Sequence, residues 1–434
     1  MYYNHNKWDR NEIMDYSDKC FRNILKYAYR NSTFYRRYYA SYGIKFEHLN
    51  TIDPKDIPYM DKEKVRNNFF DIPTLKIKKR YLNDALKRNE LLLKVGNYYL
   101  VHTSGSTGRP CSFLYGKRAL NKIESNFVRL SIGGKNSIRM TDFPIRTLYI
   151  ASVGSGYACT ALALEGIKKY KSRSVVVSAL EPLEKWQRIV GDFKPNYIGG
   201  YPSCIKIAAH LQEEGKIKLR PKKIITGGEP LTKETSKYFS ELFNADIIDY
   251  YGCTESIIIG AGASYYDGMY LFDDMNYIEV DKDNKLVITP FYNNTFPLIR
   301  YRLNDIVEDF NYDGEGVLPY THINRIIGRE EEVMWFKNSS GNFDFLHPLF
   351  LDDIDVKGIK YYQFIQKSDT FFSLKCVKFS NSDEEELIKN LKGLLDNFLK
   401  KKNMENVKYD ISFEKSLAIN PHTGKTTMVI KKLK

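Results

Sequence analysis

The first part of the chain carries apolar side chains at helical spacing. They recur every three or four residues, at Ile13, Tyr16, Cys20, Ile24 and Ala28. This period predicts an amphipathic helix over about 12–30. The aromatic stretch NSTFYRRYYASYG follows directly, so we expect a helical N-terminal region.

From residue 147 the pattern changes to short apolar runs that alternate with amphipathic segments. The runs are TLYIASV, SVVVSA, NYIGGY, KKIITGG and DIIDYYG. The amphipathic segments cover about 160–170, 181–193, 203–214 and 232–243. Alternating strands and helices predict a parallel sheet covered by helices. Ligands of such sheets bind at the carboxyl ends of the strands.

Two further patterns complete the chain. The stretch MYLFDDMNYIEVDKDNKLVITP alternates around a polar DKDN turn, which predicts antiparallel hairpins. After about residue 330, three strand-like runs surround a helix that begins at the capping-box sequence Ser382–Glu385 and ends near Lys401. The predicted fold class is α/β. It has a large domain over residues 1–329, with parallel sheets and a hairpin or barrel-like region, and a small α+β domain over residues 330–434.

Composition excludes several classes of protein. The chain has 434 residues, of which 43% are hydrophobic, and it contains no run of 18 apolar residues, so we expect a globular protein without a membrane-spanning helix. Its N-terminus, MYYNHNKWDRNEI, lacks the pattern of a signal peptide. The six cysteines are scattered without metal-like spacing, which favours free thiols in a reducing cytoplasm.

The net charge of +13 could suit a nucleic-acid or membrane-surface partner. The basic residues are spread along the chain and mixed with acidic ones, and no nucleic-acid-binding module is recognisable. We therefore favour a compositional bias toward Lys, Asn, Ile and Tyr, and we expect no nucleic-acid partner.

The most informative segment is Val101–Pro110, with the sequence VHTSGSTGRP. Its small residues let backbone N–H groups approach an anion closely, and four hydroxyl side chains add donors: Thr103, Ser104, Ser106 and Thr107. It is not a Walker A loop, because Gly105 is not followed five residues later by Gly-Lys-Ser/Thr. Taken alone, the segment has a competing interpretation as a flexible Gly/Ser turn.

Four more motifs follow in a fixed order: Thr226–Pro230, Asp249–Glu255, Arg300–Asp305 with Arg325–Arg329, and Asn420–Lys425. Their order and spacing resemble the adenylate-forming superfamily of acyl-CoA synthetases, peptide-synthetase adenylation domains and luciferases. Within it, the opening NSTFYRRYYASYGI…IPYMDKEKVRNNF and the string YPSCIKIAAHL most resemble phenylacetate–CoA ligases and related proteins of capsule-biosynthesis loci. The resemblance covers essentially the whole chain.

The resemblance implies a role for each matching residue. The nucleotide would be held by a set of residues from all motifs: Thr103, Ser104, Gly105, Ser106, Thr107, Gly108, Gly228, Glu229, Pro230, Asp249, Tyr250, Tyr251, Gly252, Thr254, Asp305 and Arg329. Within this set Tyr251 would pack on the base, and Asp305 would accept hydrogen bonds from the ribose. Three residues would be catalytic: Thr107, Glu255 as the Mg²⁺ ligand, and Lys425 beside the attacking carboxylate.

The resemblance also implies the reaction. ATP and Mg²⁺ would convert a small carboxylic acid into an acyl-AMP, and the acyl group would pass to coenzyme A. The small C-terminal domain would rotate between the two steps about a hinge at Glu330–Glu332, with Glu331 at its centre. The acid pocket would lie near Val153–Tyr157 and residues 199–203. An aromatic content of 14% is compatible with an aryl acid, although much of it must be core.

The chain departs from the family pattern at some positions, and alternatives remain open. The stretch Lys337–Asp344 differs from the usual turn, which weakens the inference of thiol transfer more than that of adenylation. LPYTHINRIIGR contains no cysteine, so we expect no zinc. The acceptor could instead be the phosphopantetheine of a carrier protein or an amine, and a homodimer is one expected assembly. A non-catalytic AMP-binding module is a different class, against which Glu255, Asp305 and Lys425 argue.

Overall fold

The fold is described from a computed structural model of the full chain. The structure describes residues 2–88, 93–103, 111–131, 134–137, 139–151, 158, 173–178, 183–314, 316–329, 334–341, 343–346, 358–380, 382–401, 403–418 and 428–432. Within these residues no helix is long and apolar enough to cross a membrane. The chain forms two compact units, one of residues 1–231, 237–303 and 307–326, and one of residues 232–236, 304–306 and 327–434.

The N-terminal region of the larger unit is helical, as its apolar period predicts. Its helices are α1 (Tyr2–His5), α2 (Arg10–Asn31), α3 (Thr33–Ala40), α4 (Lys62–Asn67) and α5 (Lys79–Lys87). Asp9 begins α2 with a capping box, in which its carboxylate accepts from the Glu12 amide and the Glu12 carboxylate accepts from the Asp9 amide. The buried face of α2 carries Ile13, Phe21 and Ile24, in agreement with the predicted amphipathic helix.

The centre of the larger unit is an eight-stranded sheet in the order β14-β10-β9-β8-β7-β6-β4-β5. Its strands are β4 (Arg146–Ala151), β5 (Arg173–Ser178), β6 (Tyr197–Gly200), β7 (Lys223–Gly227), β8 (Asp246–Tyr251), β9 (Gly260–Ala263), β10 (Met269–Leu271) and β14 (Thr321–Ile323). The pairs β5–β4, β4–β6, β6–β7 and β7–β8 are parallel. These are the five apolar runs of the sequence, so the predicted parallel sheet is confirmed.

Helices follow several of these strands, which is the arrangement that a parallel sheet requires. They are α7 (Leu183–Phe193), α8 (Pro202–Glu213) and α9 (Lys233–Phe243), and they match three of the four predicted amphipathic segments. The fourth, at 160–170, lies outside the described residues. Apolar side chains from these strands and helices form one buried cluster that includes Trp186, Ile198 and Phe239.

The chain also forms two smaller antiparallel sheets before residue 330. One contains β1 (Leu93–Val95), β2 (Tyr98–His102) and β3 (Ser112–Tyr115), and β3 leads into α6 (Lys117–Ser131). Another has the order β11-β12-β13-β15, formed by β11 (Asn276–Val280), β12 (Lys285–Pro290), β13 (Tyr301–Glu308) and β15 (Arg325–Arg329). The β11–β12 hairpin turns at the DKDN sequence, as predicted, whereas β10 joins the central sheet instead of forming a hairpin with β11.

A buried ionic cluster holds the N-terminal helices in place. Arg129 donates two hydrogen bonds to Asp274, over 3.1 and 2.5 Å, and the His5 Nδ1 atom lies 2.8 Å from the same carboxylate. Arg10 contacts the neighbouring Asp273 over 2.8 Å. These carboxylates come from the turn between β10 and β11, so the N-terminus is fixed to residues more than 260 positions away.

The smaller unit contains a two-stranded and a four-stranded sheet. The first pairs β16 (Met334–Lys337) with β17 (Phe343–Leu346), and the second has the order β20-β19-β18-β21. The latter comprises β18 (Ile359–Gln366), β19 (Phe371–Lys378), β20 (Lys408–Phe413) and β21 (Val429–Lys431), with helix α10 (Glu384–Lys401). Strands and helix were predicted, but the predicted Ser382 cap was wrong. Asp383 accepts the Glu385 amide over 2.9 Å, because its carboxylate is the stronger acceptor, while the Ser382 hydroxyl bonds to Gly358.

Candidate active site

Two of the predicted motifs lie side by side at the carboxyl ends of β7 and β8. Thr226, the second-last residue of β7, donates its hydroxyl to the Asp249 carboxylate of β8 over 2.6 Å. Burial raises the pKa of Asp249 to about 7, and the Thr226 hydrogen bond opposes that rise. Since neighbouring parallel strands end at one edge, the sheet brings Thr226–Pro230 and Asp249–Glu255 together.

Two glycines allow the backbone to turn at this edge. Gly228 has a φ of +80°, a left-handed conformation that side chains disfavour. A Cβ atom at Gly252 would lie 2.1 Å from the Ile257 carbonyl oxygen. The segment after β8 therefore needs glycine at position 252 in order to fold back on itself. The backbone bond from the Cys253 amide to the Ser256 oxygen, at 2.9 Å, closes the resulting turn.

Hydrogen bonds from buried hydroxyl groups hold the 253–256 turn in place. Tyr115 on β3 directs its hydroxyl to the carbonyl oxygens of Thr254 and Glu255, over 2.8 and 2.9 Å. The Ser256 hydroxyl contacts the Tyr292 hydroxyl over 2.7 Å and the Asn276 side-chain oxygen over 2.8 Å. Because these partners are buried, the backbone of the turn is rigidly placed.

The Glu255 carboxylate is buried, and within the part of the chain that the structure describes it contacts a hydroxyl and no cation. Glu255 is only 9% exposed, and the Tyr301 hydroxyl donates to its Oε1 atom over 3.1 Å. Burial, and then the nearby Glu255, raise the pKa of Tyr301 well above its ordinary value, so this hydroxyl is a donor at neutral pH. No lysine, arginine or histidine of the described residues forms an ion pair with Glu255. An uncompensated buried carboxylate is costly, and such groups bind metals or are neutralised.

The two ends of the glycine- and serine-rich loop meet near this carboxylate. The Thr103 amide donates to the Cys111 oxygen over 2.9 Å, and the Cys111 amide donates to the Thr103 hydroxyl over 3.0 Å. Burial and then the charge of Glu255 together raise the pKa of the Cys111 thiol to about 12. Thr103 and Cys111, the two residues that flank the predicted phosphate loop, are therefore close enough to Glu255 for its charge to affect the Cys111 thiol.

Strand β13 carries the third motif. The residues at positions 301, 303, 305 and 307 are all buried, so Tyr301 and Asp305 share one face of the strand. Arg300, immediately before, has a left-handed φ of +47° and is itself buried. Its guanidinium makes two hydrogen bonds to Glu279, each of 2.9 Å. The paired Glu279 stabilises a backbone conformation that arginine rarely adopts.

The structure therefore brings together some, but not all, of the predicted residues. Thr226–Pro230, Asp249–Glu255 and Thr103 belong to the larger unit, where Tyr251 packs partly buried against its core. Other predicted positions lie outside the described residues: Ser104–Gly108, Val153–Tyr157, Glu331 and Lys425, together with the side chain of Arg329. The roles predicted for these residues remain predictions.

Sequence reasoning missed the tyrosines that support the site. Tyr115, Tyr292 and Tyr301 are three of 33 tyrosines, and nothing in their local sequence distinguishes Tyr115 or Tyr292 from core residues. Only Tyr301 could have been recognised as a site residue from the sequence, because it lies within the Arg300–Asp305 motif. Their contacts with residues 254–256 span from 36 to 140 positions along the chain, which local patterns do not reveal.

Comparison with known proteins agrees with this geometry. Residues 96–279 match the family described as AMP-binding enzyme. The chain is 21% identical to protein CapK of Staphylococcus aureus in an alignment of 364 residues, and the match covers 75% of this chain and 69% of CapK. It is 26% identical to the fumarate–(S)-2,3-diaminopropanoate ligase of Enterobacter agglomerans in an alignment of 254 residues, and this match covers 54% of this chain and 60% of that ligase.

The fold matches as well. The structure of 2-hydroxyisobutyryl-CoA ligase in the postadenylation state superimposes with a TM-score of 0.68 at 19% identity, covering 95% of this chain and 88% of the ligase. The match of residues 96–279 to the AMP-binding enzyme family and the shared fold agree with the resemblance to adenylate-forming ligases that the ordered motifs carry.

Proposed function

We propose that the protein activates a carboxylic acid with ATP and transfers the acyl group to the thiol of coenzyme A. In the first step a carboxylate oxygen attacks the α-phosphorus of ATP, and pyrophosphate leaves. In the second step the thiol sulfur attacks the acyl carbonyl, AMP leaves, and the thiol proton is released. Both steps bring anions together, so catalysis depends on neutralising charge and on aligning the reacting groups.

The observation that carries this proposal is the buried carboxylate of Glu255, which forms no ion pair with a cation of the described residues. It lies on a turn held by buried hydroxyls, at the edge of the sheet where ligands of such folds bind, and near Thr103 and Cys111, which flank the predicted phosphate loop. A carboxylate is a preferred ligand of Mg²⁺, which is commonly held by one or two carboxylates together with substrate phosphates. When bound there, Mg²⁺ would neutralise the negative charge of the phosphates.

The remaining roles divide among residues that the resemblance assigns. The loop of residues 103–108 would hold phosphates through backbone N–H groups, and Gly228–Pro230 with Tyr251 would line the adenine. Asp305 and Arg329 would hold the ribose, and Lys425 would place a positive charge beside the attacking carboxylate and the α-phosphate. Rotation of the C-terminal domain, residues 330–434, about Glu331 would then admit the thiol.

The relatives support two acceptors. The structural neighbour is, by its name, a CoA ligase, which favours a thiol. The relative from Enterobacter agglomerans is, by its name, a ligase of fumarate and a diamino acid, which favours an amine. An acceptor amine, or the phosphopantetheine of a carrier protein, is therefore the second candidate. An aryl, phenylacetate-like acid and a role in capsule biosynthesis are the finer proposals for substrate and pathway.

Acid-dependent exchange of radioactive pyrophosphate into ATP tests the first step without an acceptor. Purified protein with Mg²⁺ is assayed against a panel of aryl, fatty, hydroxy and amino acids. We expect exchange with one chemical class of acid. Absence of exchange with every acid, although the protein binds ATP, would contradict the proposal and favour a non-catalytic AMP-binding module.

Matched lysine variants in the C-terminal tail test the role of Lys425. Lys425→Ala should lower the exchange rate by about 100-fold or more, because a positioned charge next to the transferring phosphate is lost. Lys432→Ala removes an exposed lysine seven positions away and should leave the rate unchanged. Equal rates for the two variants would refute the assignment of Lys425.

The acceptor is identified with the active acid. The acyl-AMP is formed first, then coenzyme A, a phosphopantetheinylated carrier protein or an amine is added, and AMP release is followed together with the mass of the product. A thioester of coenzyme A is the expected product. An amide formed at a higher rate would replace the thiol assignment while leaving the adenylation proposal intact.

A further inference from the structure

One side chain connects strand β13 to the turn that carries Glu255. The Tyr301 hydroxyl lies 3.1 Å from Glu255 Oε1, and Tyr301 is only 2% exposed. Because Tyr301 donates to Oε1, the other oxygen of the carboxylate is not used by this bond. A buried donor of this kind selects one orientation of the carboxylate.

The backbone of Tyr301 is held on both sides. The Met60 amide donates to the Arg300 oxygen over 3.0 Å, and the Arg302 amide donates to the Met60 oxygen over 2.9 Å. Tyr301 therefore sits between two backbone hydrogen bonds to one residue of the N-terminal region. This pairing fixes the direction in which its side chain leaves the strand.

The residue before it is restrained even more strongly. Besides its paired hydrogen bonds with Glu279, the Arg300 guanidinium donates to the carbonyl oxygens of Lys55 and Ile57. The Arg300 amide donates to the Thr289 hydroxyl over 2.8 Å. These contacts hold Arg300 in its left-handed conformation. That conformation sets the position and direction of the backbone at Tyr301.

We propose that Tyr301 is a positioning residue for the metal–nucleotide complex, which it supports by holding Glu255 with one oxygen free to bind Mg²⁺. The inference rests on the proposed function, because Glu255 must be the metal ligand. Arg300 and Glu279 act one step further away by fixing Tyr301. Removal of a hydrogen-bond partner behind a metal ligand typically lowers metal affinity by about 10–100-fold.

The test compares nucleotide binding with and without metal. Calorimetry measures the dissociation constant of α,β-methylene-ATP, an analogue that cannot be adenylated, once with Mg²⁺ and once with EDTA. The ratio of the two constants is the metal-dependent gain. Tyr301→Phe removes one oxygen and keeps the ring, so it should reduce this gain by about tenfold. Its affinity in EDTA should remain within about twofold of the wild type, which a general structural defect would not allow.

Tyr320→Phe is the matched control. Tyr320 is fully buried, and its hydroxyl bonds to Asn6 over 2.9 Å, away from the Glu255 turn. This variant should keep the full metal-dependent gain. Tyr115→Phe removes the hydroxyl that holds the 254–255 carbonyl oxygens, and it should reduce the gain as well, which tests the support of the turn by a second residue.

Two outcomes would overturn the inference. If Glu255→Gln abolishes the metal-dependent gain while Tyr301→Phe retains it, Tyr301 does not position the ligand. If Glu255→Gln also retains the gain, Glu255 is not the ligand and the inference falls with it. Pyrophosphate exchange by the wild type reports separately on the proposed function, so the two failures are distinguishable.

Discussion

Two buried carboxylates of the larger unit have opposite surroundings. Asp274 accepts from Arg129 and His5, and although burial pushes its pKa up, these partners together hold the pKa below its ordinary value. Glu255 is also buried, but the group that donates to its carboxylate is the neutral Tyr301 hydroxyl. The Arg129 guanidinium compensates the charge of Asp274, whereas no cation of the described residues compensates that of Glu255.

The difference distinguishes a structural role from a functional one. A carboxylate paired within the chain ties distant segments together, as Asp274 does for α1, α6 and the β10–β11 turn. A buried carboxylate that lacks an internal cation lowers stability unless something outside the chain supplies the charge. We therefore expect substitutions at the two positions to have separate effects, one on folding and one on chemistry.

The largest effect on stability is expected from breaking the Asp274 pair. Arg129→Met leaves Asp274 buried without its guanidinium, and loss of one partner of a buried ion pair costs about 3–5 kcal/mol. Urea denaturation at pH 7 measures the change in unfolding free energy. A loss below about 1 kcal/mol would mean that Asp274 is compensated in another way and that the contrast with Glu255 is smaller than described.

A pH-dependent effect of intermediate size is expected at Asp249. Its pKa is raised to about 7 in the folded protein from an ordinary value of 3.8, because of burial. Between these two pKa values the folded state holds a proton that the unfolded state has released. The stability of the wild type therefore falls as the pH rises from about 4 to about 7. Asp249→Asn removes the titration, so its stability relative to the wild type should increase by ~3 kcal/mol from pH 5 to pH 8, at about 1.36 kcal/mol for each pH unit up to 7.

Urea denaturation at pH 5, 6, 7 and 8 measures this relative stability. The difference between the variant and the wild type should level off above pH 7, when Asp249 is ionised in both states. A difference that does not vary with pH would show that the Asp249 carboxyl titrates at the same pH in the folded and unfolded protein. The Thr226→Val variant should raise this pKa further, because it removes the opposing hydrogen bond.

The smallest effect is expected at an exposed ion pair. Arg37 lies 3.1 Å from Asp71, and the two side chains are 61% and 44% exposed. Solvent screens such pairs, so Arg37→Ala should change the unfolding free energy by less than about 1 kcal/mol. The same denaturation assay at low and high salt checks this value. A loss of unfolding free energy comparable to that of Arg129→Met would mean that burial does not explain why the Arg129–Asp274 pair stabilises the fold more than the Arg37–Asp71 pair.

Local sequence patterns predicted much of the fold, because its elements have strong periodicity. The five runs that form β5, β4, β6, β7 and β8 are apolar and separated by amphipathic segments, so both strand type and direction were readable. The pairing of β10 with β9 was not predicted, because MYL joins a neighbouring strand through backbone bonds that no side-chain pattern specifies. The start of α10 was predicted, but the capping residue was not.

The candidate site was predictable only in its motifs. The glycines, hydroxyls and Glu255 could be named from the sequence, because their order resembles that of a known superfamily. The support behind them could not, since Tyr115 and Tyr301 reach the 254–255 turn from positions 140 and 46 residues away. The sequence also could not show that Arg129 forms an ion pair with Asp274, whereas none of the cationic residues that the structure describes pairs with Glu255.

The most direct test compares chemistry and stability in one variant, Glu255→Gln. We expect pyrophosphate exchange with the active acid to fall by about 100-fold or more. We also expect the unfolding free energy to be unchanged or higher, because the variant removes a buried carboxylate that no cation of the described residues compensates. An exchange rate within about tenfold of the wild type, or a loss of stability similar to that of Arg129→Met, would contradict the assignment of Glu255 as the Mg²⁺ ligand.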